Sequence, residues 1–108
     1  MSETKKQRLK RWRLEFNEKC LARDDGKCVI CGQPAVDVHH ITDRHLMPND
    51  GYAPENGASL CSACHSEAED YHRVKPMIKV GYRASDRHLY KLIDSSHEKA
   101  LIACRKLE

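Results

Sequence analysis

Two Cys-x2-Cys pairs, Cys28/Cys31 and Cys61/Cys64, stand 29 residues apart in a chain of 108 residues. Each pair reads as a tight knuckle whose two thiolates reach one tetrahedral zinc ion, so that two knuckles complete a four-cysteine structural site. The constraint is strong because a one-domain chain of this length gains only a modest margin of stability from apolar burial. With 32% charged residues and a single Phe, little material is left for a large core. Two disulfides or four buried thiols form the competing reading, which the paired spacing disfavours in a reducing compartment. Cys20 and Cys104 lie outside the pairs on apolar helical faces and read as core residues rather than ligands. No apolar run approaches the roughly 18 residues of a membrane span, and the start "MSETKKQRLKRWR" lacks the apolar stretch of a secretion signal. The expectation is a cytoplasmic protein with no membrane part.

The chain shows no internal repeat and no low-complexity segment, and reads as one α+β domain over 1–108. Within it, 1–27 is a basic N-terminal helix region, 28–72 the core with the zinc knuckle, and 73–108 a C-terminal helical extension. Leu9, Trp12, Phe16 and Cys20 recur at helical spacing over residues 5–24, with Gly26 as the stop. "AVDVHHI" (Ala35–Ile41) reads as a strand and "ASLC" (Ala58–Cys61) as a short partner. The sixteen residues between them, "TDRHLMPNDGYAPENG", read as loop. A helix is expected from Cys61 to about His72, broken at Pro76. One or two helices follow over Ser85–Leu107, where Ser95-x-x-Glu98 has capping-box spacing.

The distribution of charge says more than the net +3. Residues 1–27 carry nine Lys/Arg against five acids, 32–72 carry Arg44 alone against seven, and 73–108 carry nine against four. Basic ends around an acidic centre suit a polyanion held at the rims and a cation held in the middle. Ordinary solvated surface charge is the plainer alternative.

The remaining polar groups gather around the second cysteine pair. If Cys64 ligates zinc near a helix start, His65 is rotated about 100° from it and must serve elsewhere. Glu69 lies four residues on, on the face of His65, so the two can bind one ion together. On a strand, Asp37 and His39 share one side while His40 faces the other, unless a bulge brings both imidazoles to one cleft. Two imidazoles with different jobs suit hydrolysis, one binding a cation and one left free to take a proton from water. Half-buried strand histidines with ordinary hydrogen-bond partners are the plain reading of the same pair. Asn56 can orient a histidine or its loop, although Asn-Gly is also a common turn dipeptide.

In order and spacing, Cys28-x2-Cys31, His39-His40-Ile41, Asn56 and Leu60-Cys61-x2-Cys64-His65 resemble the HNH endonucleases, in the subgroup with a four-cysteine zinc. The likeness spans about residues 28–72. It implies a small ββα-metal core flanked by N- and C-terminal helices, and metal-dependent hydrolysis of DNA phosphodiester bonds, by nicking or double-strand cleavage. Carried over by position, His40 is the general base, Asn56 the residue that orients it, and His65 a ligand of the catalytic ion, with His39 as another ligand. Glu69 as a third ligand is inferred from its helical register with His65. The implied cofactors are a structural Zn2+ and a catalytic divalent cation such as Mg2+, Mn2+, Ni2+ or Zn2+. The implied partner is DNA, with Lys5, Lys6, Arg8, Lys10, Arg11, Arg13 and Arg44 as candidate contacts to its phosphates. A noncatalytic zinc module that binds DNA or RNA is the alternative, to which the trio His40, Asn56 and His65 is superfluous. The resemblance also suggests a phage or mobile-element origin.

Overall fold

In a computed structural model, which describes residues 2–74 and 85–108, the chain folds around a two-stranded antiparallel sheet. The elements run α1 (Lys5–Arg23), β1 (Asp37–His40), β2 (Gly57–Leu60), α2 (Ser62–Val74), α3 (Asp86–Leu92) and α4 (His97–Arg105). This is the expected α+β arrangement. The expected break at Pro76 lies outside the described residues. Among those described, no helix is long and apolar enough to cross a membrane.

α1 starts on a capping box, in which the Thr4 side chain accepts from the Gln7 N–H and the Gln7 side chain accepts from the Thr4 N–H. It gives way at a turn where Gly26 takes a φ of 66°. Its buried stripe, Trp12, Phe16 and Cys20, packs with Val38 of β1 and with Tyr52. The register pairs Val38 with Ser59 and His40 with Gly57, so these four residues face α1. Asp37, His39, Ala58 and Leu60 face the other way, toward α2. Ala58, Leu60, Cys64 and Ala68 join Ile41, Leu89, Tyr90, Ala100 and Cys104 in a second cluster, so α3 and α4 close the core rather than trailing from it.

Several backbone groups of β2 are met from outside the two-stranded ladder. The Arg23 guanidinium donates to the Gly57 carbonyl (2.7 Å) and the Pro54 carbonyl (2.9 Å). The Asp24 carboxylate, paired with Arg23 at 2.7 Å, accepts from the Ser59 N–H. Val29 N–H and Val36 N–H donate to the carbonyls of Ser59 and Leu60, tying the first knuckle to the same strand.

Two expectations need correction. The segment between the strands is not plain loop. It winds through three short 3-10 turns, Arg44–Leu46, Pro48–Gly51 and Pro54–Asn56, and buries Met47, Tyr52 and Ala53. The cap of α4 is Ser96, whose hydroxyl accepts from the Lys99 N–H, rather than Ser95. Ser95 instead donates to the Glu55 carbonyl, so the two serines divide capping and docking between them.

Gly57 sets how closely α1 approaches the sheet. A Cβ there would meet Cys20 Sγ and the Phe16 ring at 2.6 Å. Gly57→Ala should therefore cost about 1–3 kcal/mol by overpacking. Denaturant melts of the two proteins check this, and equal stabilities would show that α1 does not depend on the small residue.

Candidate metal centres and active site

α2 carries parts of two clusters at its N-terminus. Cys64 is buried toward the first knuckle, and the ligating atoms of Cys28, Cys31, Cys61 and Cys64 all lie within 4.8 Å of one another. Sγ of Cys31 and Cys61 are 3.5 Å apart, and none of the six cysteines is in a disulfide. Four sulfurs so gathered match the tetrahedral thiolate set of a structural zinc, with Zn–S near ~2.3 Å. The thiols divide, since Cys31 and Cys64 are pushed up, Cys64 first by burial, while Cys28 is brought down. Burial raises its pKa, but the backbone N–H groups of Cys61, Cys31 and Ile30 outweigh burial and bring the thiol down to about 7. No disulfide joins the four cysteines, and their arrangement is consistent with a zinc-binding site.

One residue further along α2, His65 turns toward β1. Its Nε2 lies 3.1 Å from Glu69 Oε1, and its Nδ1 lies 3.6 Å from Asp37 Oδ2. His39 Nδ1 is 3.6 Å from the same Glu69 oxygen. His39, His65 and Glu69 each offer a ligand atom within 4.8 Å of the others, as the helical register of Glu69 with His65 anticipates. The chemistry fits a divalent ion, because two imidazoles and a carboxylate make a mixed N/O donor set. His39 is 2% exposed. Its pKa is depressed to about 3, first by burial and then by the neighbouring His72, His65 and His40, which leaves its ring neutral.

His40 sits on the other face of β1, with no bulge in the ladder. Its ring stacks on Phe16 (centroids 4.7 Å, interplanar 23°) and meets Tyr52 edge-on at 5.1 Å. Burial, with help from the Arg44 charge, lowers its pKa to about 4 against the opposing pull of Asp43 and Asp50. Its Nε2 is buried without a hydrogen-bond partner. Although the rings lie on opposite faces, the strand ends at His40, and one cleft of about 240 Å³ is lined by His39, His40, Arg44, His65, Glu69 and His72 among others.

Asn56 is fully buried and does not hydrogen-bond to His40. Its Nδ2 donates to the carbonyls of Thr42 (3.1 Å) and Gly51 (3.2 Å), and its Oδ1 accepts from the Thr42 N–H (3.0 Å). It ties down the loop, the second of the two roles open to it in the sequence, and the Asn56-Gly57 pair leads into β2 rather than forming a hairpin turn.

A protein-family model matches residues 28–70, the stretch that holds both clusters. It is that of the HNH endonucleases. The HNH match begins at the first knuckle cysteine and ends one residue beyond Glu69, leaving α1, α3 and α4 outside it. Searches of curated proteins and of solved structures return no match.

Three side chains around the matched core were not named as site residues from the sequence. Asp37 Oδ2 lies 3.6 Å from His65 Nδ1, where an outer-shell carboxylate would stand beside a metal-binding histidine. His72 Nε2 donates to the Ile41 carbonyl at 2.8 Å, with its ring 4.7 Å from His39. Tyr90 donates to Asn56 from α3. Helical register relates His65, Glu69 and His72, so His72 was within reach of the sequence. Tyr90 was legible only as a buried phenol in need of a partner.

The basic residues divide. Lys6, Lys10, Arg13 and Arg44 line one groove with Leu9 and Tyr52, and Arg44 is shared with the His39/His40 cleft. The Arg44 guanidinium lies 5.6 Å from the Tyr52 ring centroid. Lys5 and Arg8 line a different groove with Asp50 and Glu108. Arg11 is engaged by Glu3 at 2.8 Å and by Glu15 at 3.7 Å. The seven basic residues therefore do not form one surface.

Replacing Cys61 with Ser removes one thiolate from the cluster, and in structural zinc sites metal binding is coupled to folding. The variant should bind no zinc by elemental analysis and lose its cooperative melt. A near-wild-type melt without zinc would show that the knuckles fold without the ion.

Proposed function

We propose that this chain is a metal-dependent HNH endonuclease that hydrolyses DNA phosphodiester bonds. The observation that carries the reading is the single cleft onto which both faces of β1 open. On one side His39, His65 and Glu69 converge. On the other, His40 is held by aromatic packing rather than by a ligand-like cluster.

In this reading His39, His65 and Glu69 hold the catalytic divalent ion, which when bound supplies Lewis-acid stabilisation of charge developing on phosphate oxygens. Asp37 keeps His65 aimed, and Glu69 closes the set from the next turn of α2. His40 accepts a proton from the attacking water at Nδ1, because Nε2 is buried. Its depressed pKa keeps the ring unprotonated at neutral pH. An anionic phosphodiester beside the ring raises that value, in the direction a general base requires. Asn56 acts on His40 through the loop, by fixing Gly51 and Thr42.

The flanking phosphates run along Lys6, Lys10 and Arg13, with Arg44 joining that groove to the cleft. Lys5, Arg8 and Arg11, which the sequence offered as equal candidates, face elsewhere or are paired with carboxylates. Such contacts act through counterion release and carry no sequence preference.

Supercoiled plasmid with Mg2+, Mn2+, Ni2+ or Zn2+, with and without chelator, tests the activity. His40→Ala should lower cleavage by about 10²–10⁴-fold while leaving the fold, the zinc and DNA affinity in place. His65→Ala should also stop cleavage, but higher metal concentration should restore part of its rate and none of the His40 variant's. Release of the structural zinc by His65→Ala would merge the two clusters into one site and remove the physical basis of the reading.

A second test concerns the groove. Changing Lys6, Lys10 and Arg13 to Gln should reduce the slope of log affinity against log salt by about 2–3 on duplex DNA. Changing Arg8 and Arg11 to Gln should leave it nearly unaltered. The reverse pattern would move the DNA to the opposite face of α1.

A further inference from the structure

Tyr90 of α3 lies outside the HNH match, yet its hydroxyl donates to Asn56 Oδ1 at 2.7 Å, with both residues buried. Its oxygen also lies 2.6 Å from Thr42 Oγ1, which in turn lies 3.2 Å from His97 Nδ1 at the start of α4.

The direction of this chain follows from counting protons. The amide oxygen of Asn56 can only accept, so the single proton of Tyr90 is committed to it. Thr42 must then donate its own single proton to Tyr90. Nothing remains on Thr42 to give, so His97 donates from Nδ1. The donor sequence is His97, Thr42, Tyr90, Asn56. With it, Asn56 uses both lone-pair positions and both N–H groups, accepting from Thr42 and Tyr90 and donating to the carbonyls of Thr42 and Gly51.

The chain continues mechanically to His40. The Gly51 backbone takes a φ of 68° and is wedged between the two side chains. A Cβ on Gly51 would lie 2.7 Å from Asn56 Nδ2 and 3.2 Å from His40 Cδ2. A shift of the Asn56 amide therefore moves the wall against which the His40 ring rests.

We infer that Tyr90, oriented by Thr42 and His97, is a positioning residue for the proposed general base: through Asn56 and Gly51 it holds His40 at its working angle. The C-terminal helices thereby form part of the active site rather than an appendage to it. This inference rests on the nuclease reading of His40.

Tyr90→Phe removes one hydroxyl and keeps the ring that packs in the core. The full-length variant, loaded with zinc and assayed with Mn2+, should show kcat reduced about ten- to a hundred-fold with KM within about two-fold, because misplacement acts on the reacting geometry rather than on substrate binding. By 15N NMR the Asn56 side-chain amide and the His40 ring signals should shift. His97 should lose its preference for the Nδ1–H tautomer. A wild-type kcat with unmoved His40 signals would overturn the inference. If the wild-type protein cuts no nucleic acid, the nuclease reading fails by itself. The NMR arm then decides whether Tyr90 positions His40: unmoved His40 signals overturn that link, and shifted ones uphold it.

Discussion

Consecutive side chains on an α-helix diverge by about 100°, and the separation of Cys64 from His65 by that angle is what the rest of this molecule depends on. Cys64 turns inward to the first knuckle, and His65 turns toward β1. A helix anchored by one cluster thus presents the His65 side chain to the other with little freedom in its placement. The knuckle also ties the segment before β1 to β2, through Val29 and Val36. A metal held by four thiolates in this position would stabilise the fold and set the angle at which α2 meets the sheet.

The sheet itself is minimal, and its small residues are what let it work. β2 is Gly57, Ala58, Ser59 and Leu60, all buried, so it can be covered on both faces. Its partner β1 is chemically two-sided. Val38 and His40 belong to the α1 side, while Asp37 and His39 belong to the α2 side. Four residues therefore bring an acid, two imidazoles and an apolar anchor to one place. Neutral imidazoles survive there because burial penalises the charged form at both His39 and His40.

What was legible in the sequence was whatever local geometry determines. The cysteine spacing identified the knuckles, helical register paired His65 with Glu69, and strand alternation separated His39 from His40. Apolar spacing located α1 and its buried stripe. What escaped depends on contacts far apart in sequence. The Arg44–Asn56 segment looked like loop because its Pro, Gly and Asn content is high. Its burial is decided by Met47 and Tyr52 reaching separate clusters. The basic residues of α1 were indistinguishable by composition, and only the fold divides Lys6, Lys10 and Arg13 from Arg8 and Arg11. Tyr90 and Asn56 are 34 residues apart, and no local pattern links them.

Two neighbouring clusters with such different donor sets call for two chemically different ions. X-ray absorption on protein loaded with one equivalent of zinc and then one of manganese tests this most directly, since each edge reports its own donor shell. The expected result is a zinc shell of four sulfurs at ~2.3 Å and a manganese shell of nitrogen and oxygen alone. Nitrogen in the zinc shell, or sulfur in the manganese shell, would contradict it.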